Sequence, residues 1–222
     1  MIARLTGGER VAEGDWLVTN AQTAGRGRQG RAWFDGAGNF MGSTAVHVGP
    51  QDPPAHSLSL VAGLAVYEAI QPLCPNPGAL MLKWPNDVLL GEAKLCGILL
   101  ERAGDTVVVG IGVNLAAAPD LPDRKAIALS SFGPAPDRDA FANSLAAALM
   151  TELERWRTYG LEPLIRRWHS VGTPEGTNLS VHEPDGTIAE GQFAGLDAQG
   201  TLQLRLDDGT VRAIHAGDVM LA

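Results

Sequence analysis

Between Ala79 and Leu115 the chain alternates strand-forming runs with connections of only a few residues, and this spacing constrains the fold more than any other feature. Ala79 to Trp84 reads as a strand stopped by Pro85, Asn86 and Asp87. Val88 to Leu90 and Lys94 to Arg102 read as a hairpin about Gly91-Glu92-Ala93, and Gly104-Asp105 turns the chain into Thr106 to Leu115. A parallel neighbour needs a crossover of roughly a dozen residues. Connections this short therefore imply an antiparallel or mixed sheet.

The flanking segments supply the layers around it. Trp16 to Asn20 and Phe40 to Val48 are strand candidates, the second entered through a turn at Gly36, Gly38 and Asn39. After Pro53-Pro54, Leu60, Val61, Leu64, Ala65 and Ile70 recur at helical spacing with few charges, so Ala55 to Gln71 is expected as a buried helix. Residues 116–137, rich in Ala, Pro and Asp, read as a surface connection. Arg138 to Tyr159 follows as an amphipathic helix with Leu145, Leu149, Leu153 and Trp156 on one stripe, and Leu161 to Ser170 as a shorter one.

The character changes after Val171. Short runs at Leu179 to His182, Thr187 to Leu196, Thr201 to Leu206 and Val211 to Ile214 are separated by Asp-Gly turns, the mark of a meander or small barrel. The expected organisation is an α+β domain over residues 1–171 and a small β domain over 172–222 packed on it.

One segment carries chemistry in plain view. Residues 23 to 34, TAGRGRQGRAWF, set Arg26, Arg28 and Arg31 among Gly25, Gly27 and Gly30. Glycine allows close backbone approach, and arginine brings a permanent charge with a planar donor fork suited to carboxylate and phosphate oxygens. The formal net charge is −8, so the cluster is local, not a by-product of a basic composition. An acidic chain with three clustered arginines makes a poor nucleic-acid module. No Gly-Lys-Ser/Thr follows the loop, which excludes a Walker phosphate loop. Gly25-x-Gly27-x-x-Gly30 fits a dinucleotide fingerprint in letters but lacks the βαβ setting.

Lysine is scarce: Lys83, Lys94 and Lys125 stand among 17 Lys and Arg residues. Lys83 and Lys94 lie inside apolar runs, where a lysine either sits on an edge and snorkels or contacts an anion. Cys74 and Cys96 form no framework and read as reduced cytosolic thiols, Cys96 as a small core residue. His47, His56, His169, His182 and His215 have no metal-ligand spacing. Apolar stretches are interrupted well short of a membrane span, and the N-terminus does not read as a secretory leader, so a cytoplasmic location is expected.

Four ordered blocks, TAGRGRQGRAWF (23–34), KWPNDV (83–88), KLCGILLE (94–101) and GIGVNL (110–115), closely resemble the biotin–protein ligases. The resemblance implies a class II aminoacyl-tRNA-synthetase-like catalytic domain followed by an SH3-like β-barrel. It also implies ATP and biotin as substrates, Mg2+ with the ATP, and two steps: formation of biotinyl-5′-AMP, then transfer to a lysine of a biotin carboxyl carrier domain. It places Gln22, Gly25, Arg26, Gly27, Arg28, Lys94 and Gly97 at biotin. Arg28, Arg31, Trp33, Lys83, Asn86, Asp87, Lys94 and Asn114 fall at ATP or the adenylate, with Lys94 and Arg28 as the catalytic pair. Trp33 reads as a stacking wall or as a buried structural ring, and Pro85-Asn86-Asp87 as ligand contact or ordinary turn. No carboxylate is assigned to the metal.

The family's winged-helix DNA-binding domain does not appear ahead of the loop, so a monofunctional ligase is expected, either monomer or homodimer. The family's Ser/Thr-Thr-Asn segment is also missing before Gln22, and Thr19-Asn20 is a partial look-alike. The competing readings are a lipoate or octanoate transferase relative and a binding-only paralogue that sequesters biotin. The GRGRQGR block beside KLCGILLE argues against the first, while the shortened front end motivates the second.

Overall fold

The computed structural model describes residues 1–122 and 124–221. A short helix, α1 (Ile2–Thr6), precedes strand β1 (Trp16–Val18) and the long strand β2 (Phe40–His47). Helix α2 (Leu58–Ile70) then leads to β3 (Leu80–Lys83), β4 (Asp87–Leu90), β5 (Ala93–Ala103) and β6 (Thr106–Val113). These strands form one six-stranded sheet in the order β1-β2-β6-β5-β4-β3, antiparallel at every pairing. The short connections between Ala79 and Leu115 have the consequence expected of them.

Helices α3 (Arg138–Tyr159) and α4 (Leu161–Val171) complete the first layer. The α3 helix begins at Asp137, whose carboxylate accepts the Ala140 N–H at 2.7 Å and satisfies a donor the helix would otherwise orphan. It ends at Gly160, in the left-handed region at φ 72°, from which α4 starts at once. Helix α2 is buried nearly all round, as its lack of charges requires. It lies between the sheet and α3, where the Trp156 indole N–H donates to Ser57 Oγ at 2.9 Å.

Alternation along the central strands assigns the two sheet faces. Cys96 and Ile98 of β5 and Val109, Ile111 and Val113 of β6 point into the helical layer and its core. Gly97 and Gly112, register partners on the same strands, point the other way. One cross-strand row runs along that opposite face: Lys83, Asp87, Gly97, Gly112 and Met41 pair in turn across β3, β4, β5, β6 and β2.

Residues 178–221 form a second antiparallel sheet. Strands β7 (Asn178–His182), β8 (Ile188–Leu196), β9 (Leu202–Arg205), β10 (Val211–Ile214) and β11 (Asp218–Leu221) take the order β10-β9-β8-β7-β11. Its contact with the first sheet includes the Trp84 indole N–H, which donates to the Gly200 carbonyl at 3.0 Å.

Three features depart from the sequence reading. Strand β11 and helix α1 were not anticipated. The connection over 116–137 is not purely superficial: Ala128 and Leu129 are buried, and a parallel bridge joins Ala126 to Lys94. The Lys94 N–H donates to the Lys125 carbonyl and the Ile127 N–H to the Lys94 carbonyl, so this segment completes the backbone bonding of β5 where it leaves β4.

Candidate functional site

The site is built on the row just described. Asp87 and Gly97 are register partners, and Lys94 lies three positions before Gly97, so strict alternation would send Lys94 to the helical face. A bulge prevents this. Val88 pairs with Cys96 and Leu89 with Lys94, which leaves Leu95 as an additional residue in β5. Such bulges re-aim side chains, and here Lys94 turns to the face that carries Asp87 and Gly97. The Lys94 Nζ lies 2.5 Å from Asp87 Oδ1, and Lys83 Nζ lies 3.2 Å from Asp87 Oδ2.

Two ammonium groups thus share one buried carboxylate. Burial alone raises the Asp87 pKa, but charge and hydrogen bonding from Lys94 and Lys83 outweigh it and hold the group below its ordinary value. Asp87 stays ionised and the trio keeps a net positive charge. Lys83 also donates to the Val219 carbonyl at 2.7 Å, so it reaches towards the second sheet and is bound at both available partners. Burial pushes the Cys96 thiol pKa up, as befits the inert core residue expected from the sequence.

The arginine segment is a hairpin, more regular than a mobile loop. Gly27 N donates to the Arg31 carbonyl at 2.7 Å and Trp33 N to the Gly25 carbonyl at 2.9 Å, with Arg26 and Ala32 bridged between them. Gln29 and Gly30 form the tip with φ of 56° and 73°, a conformation glycine takes without strain. Arg28 turns inward and donates to Asn86 Oδ1 at 3.2 Å. Burial draws its pKa below the ordinary arginine value, while Asp218 and Asp87 oppose the shift. Asn86 is itself fixed, donating from Nδ2 to the Ile98 carbonyl at 2.6 Å. Arg31 forms an ion pair with Asp218 of β11, and Arg26 reaches along the sheet to Glu101 at 3.3 Å.

The Trp33 ring packs against the two central glycines. A Cβ at Gly112 would stand 2.3 Å from its ring and one at Gly97 2.8 Å, so only glycine leaves room for the indole. Lys94 Nζ is 5.7 Å from the ring centroid, close enough for a cation–π contact. Gln22 faces Gly25, where a Cβ would meet its Oε1 at 2.5 Å. Asn114 is buried at the end of β6, and its Nδ2 makes only a long 3.5 Å contact with the Lys94 carbonyl. Among the described residues, Asn114 Oδ1 and Trp33 Nε1 are buried polar atoms without a partner. Orphaned groups of this kind are uncommon and mark positions a ligand can satisfy.

The structure therefore gathers Gln22, Gly25, Arg28, Trp33, Lys94, Gly97, Asn86, Asp87 and Asn114 on one sheet face, with Gly27 in the hairpin above. Arg26 and Lys83 lie on the same face but are turned to Glu101 and Val219. Sequence reasoning missed Gly112 and Asp218. The first was readable in principle, since pairing KLCGILLE with GIGVNL in register sets Gly97 against Gly112. The second had no local signal.

Residues 9–115 match the Biotin/lipoate A/B protein ligase family and residues 179–221 the Biotin protein ligase C terminal domain. Fold and site together define a cofactor–protein ligase. The chain is 38% identical to a biotin–[acetyl-CoA-carboxylase] ligase of Paracoccus denitrificans, over 86% of this chain and 83% of that protein. It is 37% identical to the enzyme of that name from Mycobacterium tuberculosis, over 99% and 83%. A biotin protein ligase from Aquifex aeolicus, solved in complex with biotin and ATP, superposes with a TM-score of 0.84 at 27% identity, covering 96% of this chain and 90% of that one. The chain belongs to the biotin protein ligase family.

Proposed function

We propose that the chain activates biotin with ATP and transfers it to a lysine of a biotin carboxyl carrier domain. In the first step a biotin carboxylate oxygen attacks the α-phosphorus of ATP, giving biotinyl-5′-AMP as pyrophosphate leaves. In the second, the unprotonated ε-amine of the carrier lysine attacks the acyl carbon; AMP leaves, and the nitrogen gives up a proton to solvent. The observation that carries this reading is the cationic trio of Lys94, Asp87 and Lys83 beside a glycine-floored slot and beneath an arginine hairpin.

The electrostatics suit that chemistry. Two anions must meet in the first step, and the phosphorus centre gathers negative charge as the new bond forms. We assign Lys94 to that charge, because strand β5, the bulge and the Asp87 contact fix its ammonium before substrate arrives. Asp87 and Lys83 act through Lys94, as positioning residues. Arg28 and Arg31 take the phosphate side, and Gln22, Gly25, Arg26, Gly27 and Gly97 the biotin side. Trp33 and Asn114 supply a stacking face and a buried acceptor for the nucleotide. A hairpin resting over the slot also keeps water from the mixed anhydride.

Magnesium enters as MgATP. Among the described residues no group of three or more His, Cys, Asp or Glu side chains forms a cage, and Asp87 is already engaged by two lysines. Substrate phosphates are the usual ligands of such an ion. We take residues 1–171 as the catalytic domain and 172–222 as a barrel domain that closes its edge. We take the location as cytoplasmic. Among the described residues no helix is long and apolar enough to cross a membrane. The C-terminal family match favours biotin over lipoate as the acyl group.

The test is pyrophosphate release on mixing the protein with biotin and MgATP, with lipoate as competitor. Biotin-dependent release that lipoate does not suppress supports the reading. Tight biotin binding with no release makes the chain a binding protein and overturns it.

A further inference from the structure

We infer that Asp218, on the last strand of the C-terminal sheet, is a positioning residue for nucleotide binding through Arg31. The inference rests on the nucleotide-side assignment of Arg31 and adds to it a contribution from the second domain.

Two successive residues of β11 reach cations of the catalytic face. The Asp218 carboxylate pairs with the Arg31 guanidinium, and the Val219 carbonyl accepts from Lys83 Nζ at 2.7 Å. Strand β11 is well placed to act as a fixed support. It pairs with β7 from Asp218↔His182 to Leu221↔Leu179. At its entry, a Cβ on Gly217 would meet Val181 Cγ1 at 2.8 Å and the His182 carbonyl oxygen at 3.0 Å, so the backbone there is pressed against β7.

The contact leaves Arg31 competent. A guanidinium carries five N–H donors in a planar fork. Asp218 takes the Nη2 end and the Arg28 carbonyl lies 3.5 Å from Nε. Among the described residues Nη1 makes no hydrogen bond, which leaves one edge to receive a phosphate oxygen. The pair is partly exposed, at 37% for the Arg31 side chain and 26% for Asp218, so phosphate has access from solvent. An arginine beside a hairpin tip would otherwise sample many rotamers, and holding one end in place removes part of the ordering cost of binding.

The experiment measures KM for MgATP in adenylate formation, and biotin affinity by calorimetry without nucleotide, for Asp218→Asn, Asp218→Glu, Arg31→Ala and Arg31→Ala/Asp218→Asn. Loss of one charge-assisted contact predicts that Asp218→Asn raises KM about tenfold while biotin affinity stays within about twofold. Asp218→Glu restores most of the loss. In the Arg31→Ala background, Asp218→Asn adds nothing further, which a general loosening of the domain contact would not produce. Retained biotin binding in each variant certifies the fold, and if Asp218→Asn loses it, the same comparison is read from Asp218→Ser. An unchanged or lowered KM in Asp218→Asn, or a loss that persists in the Arg31→Ala background, overturns the inference alone. A normal KM in Arg31→Ala overturns the nucleotide assignment of Arg31 and the inference with it.

Discussion

The Lys94 ammonium stands 2.5 Å from the Asp87 carboxylate although plain strand alternation would send these two side chains to opposite faces of the sheet. The bulge at Leu95 brings them together, and the charge balance of the site follows from it.

Asp87 gives the site a pH signature. Its pKa lies below the ordinary 3.8 because Lys94 and Lys83 overcome the effect of burial. A depressed folded-state pKa contributes stability that is present above the unfolded value and lost as pH falls through the folded one. Asp87→Asn should therefore flatten the acid limb of stability below about pH 4. At neutral pH it should cost about 1–3 kcal/mol, since two lysines lose their shared acceptor. Urea melts from pH 2 to pH 7 check both. An acid limb as steep as wild type would remove Asp87 from this role.

Lys94→Met should lower the rate of adenylate formation by about 10²–10³-fold, the usual scale for one preorganised charge at a developing anion. Asp87 retains Lys83 in this variant, so circular dichroism should remain native. Biotin-dependent pyrophosphate exchange is the readout. A rate near wild type would relieve Lys94 of its assignment.

Gly112→Ala should displace Trp33. The added methyl group would sit 2.3 Å from the indole, and the half-buried ring has to leave the slot. The expected result is a red-shifted tryptophan emission that vanishes in a Trp33→Phe background, with ligand affinity reduced at least tenfold, about 1.4 kcal/mol. Unchanged emission and affinity would mean that the glycine row is not the floor of the site.

Arg28→Gly should shorten retention of the adenylate. Removing the guanidinium opens the cover above the slot and breaks the link to Asn86. Lysines on bystander proteins should then acquire biotin, detected by avidin blotting, while biotin alone still binds. Strictly carrier-specific labelling would contradict the assignment.

Much of this was readable in the chain. Turn residues at Gly91 and at Gly104-Asp105 bound apolar runs of strand length, so the antiparallel core from Ala79 to Leu115 followed from local chemistry. The span of α3 was equally plain from its stripe of Leu145, Leu149, Leu153 and Trp156. The rest depended on longer-range geometry. A four-residue strand such as β11 has too few positions to show alternation, and the Asp218–Arg31 pair joins residues far apart in sequence through domain packing. Lys94 was identifiable as a candidate, but the face it points to was not, because one inserted residue reverses the pattern. The segment around Leu129 looked superficial from its Ala, Pro and Asp content, yet it is drawn inward by its backbone bonds to Lys94.

The most direct measurement follows a single turnover of biotin and MgATP with an apo carrier domain by intact mass, comparing the wild-type chain with Lys94→Met. The wild-type chain should give one biotinyl group on one carrier lysine and one pyrophosphate per adenylate, and the variant neither product on the same timescale. A carrier left unmodified by well-folded wild-type protein, or modified equally by both chains, would contradict it.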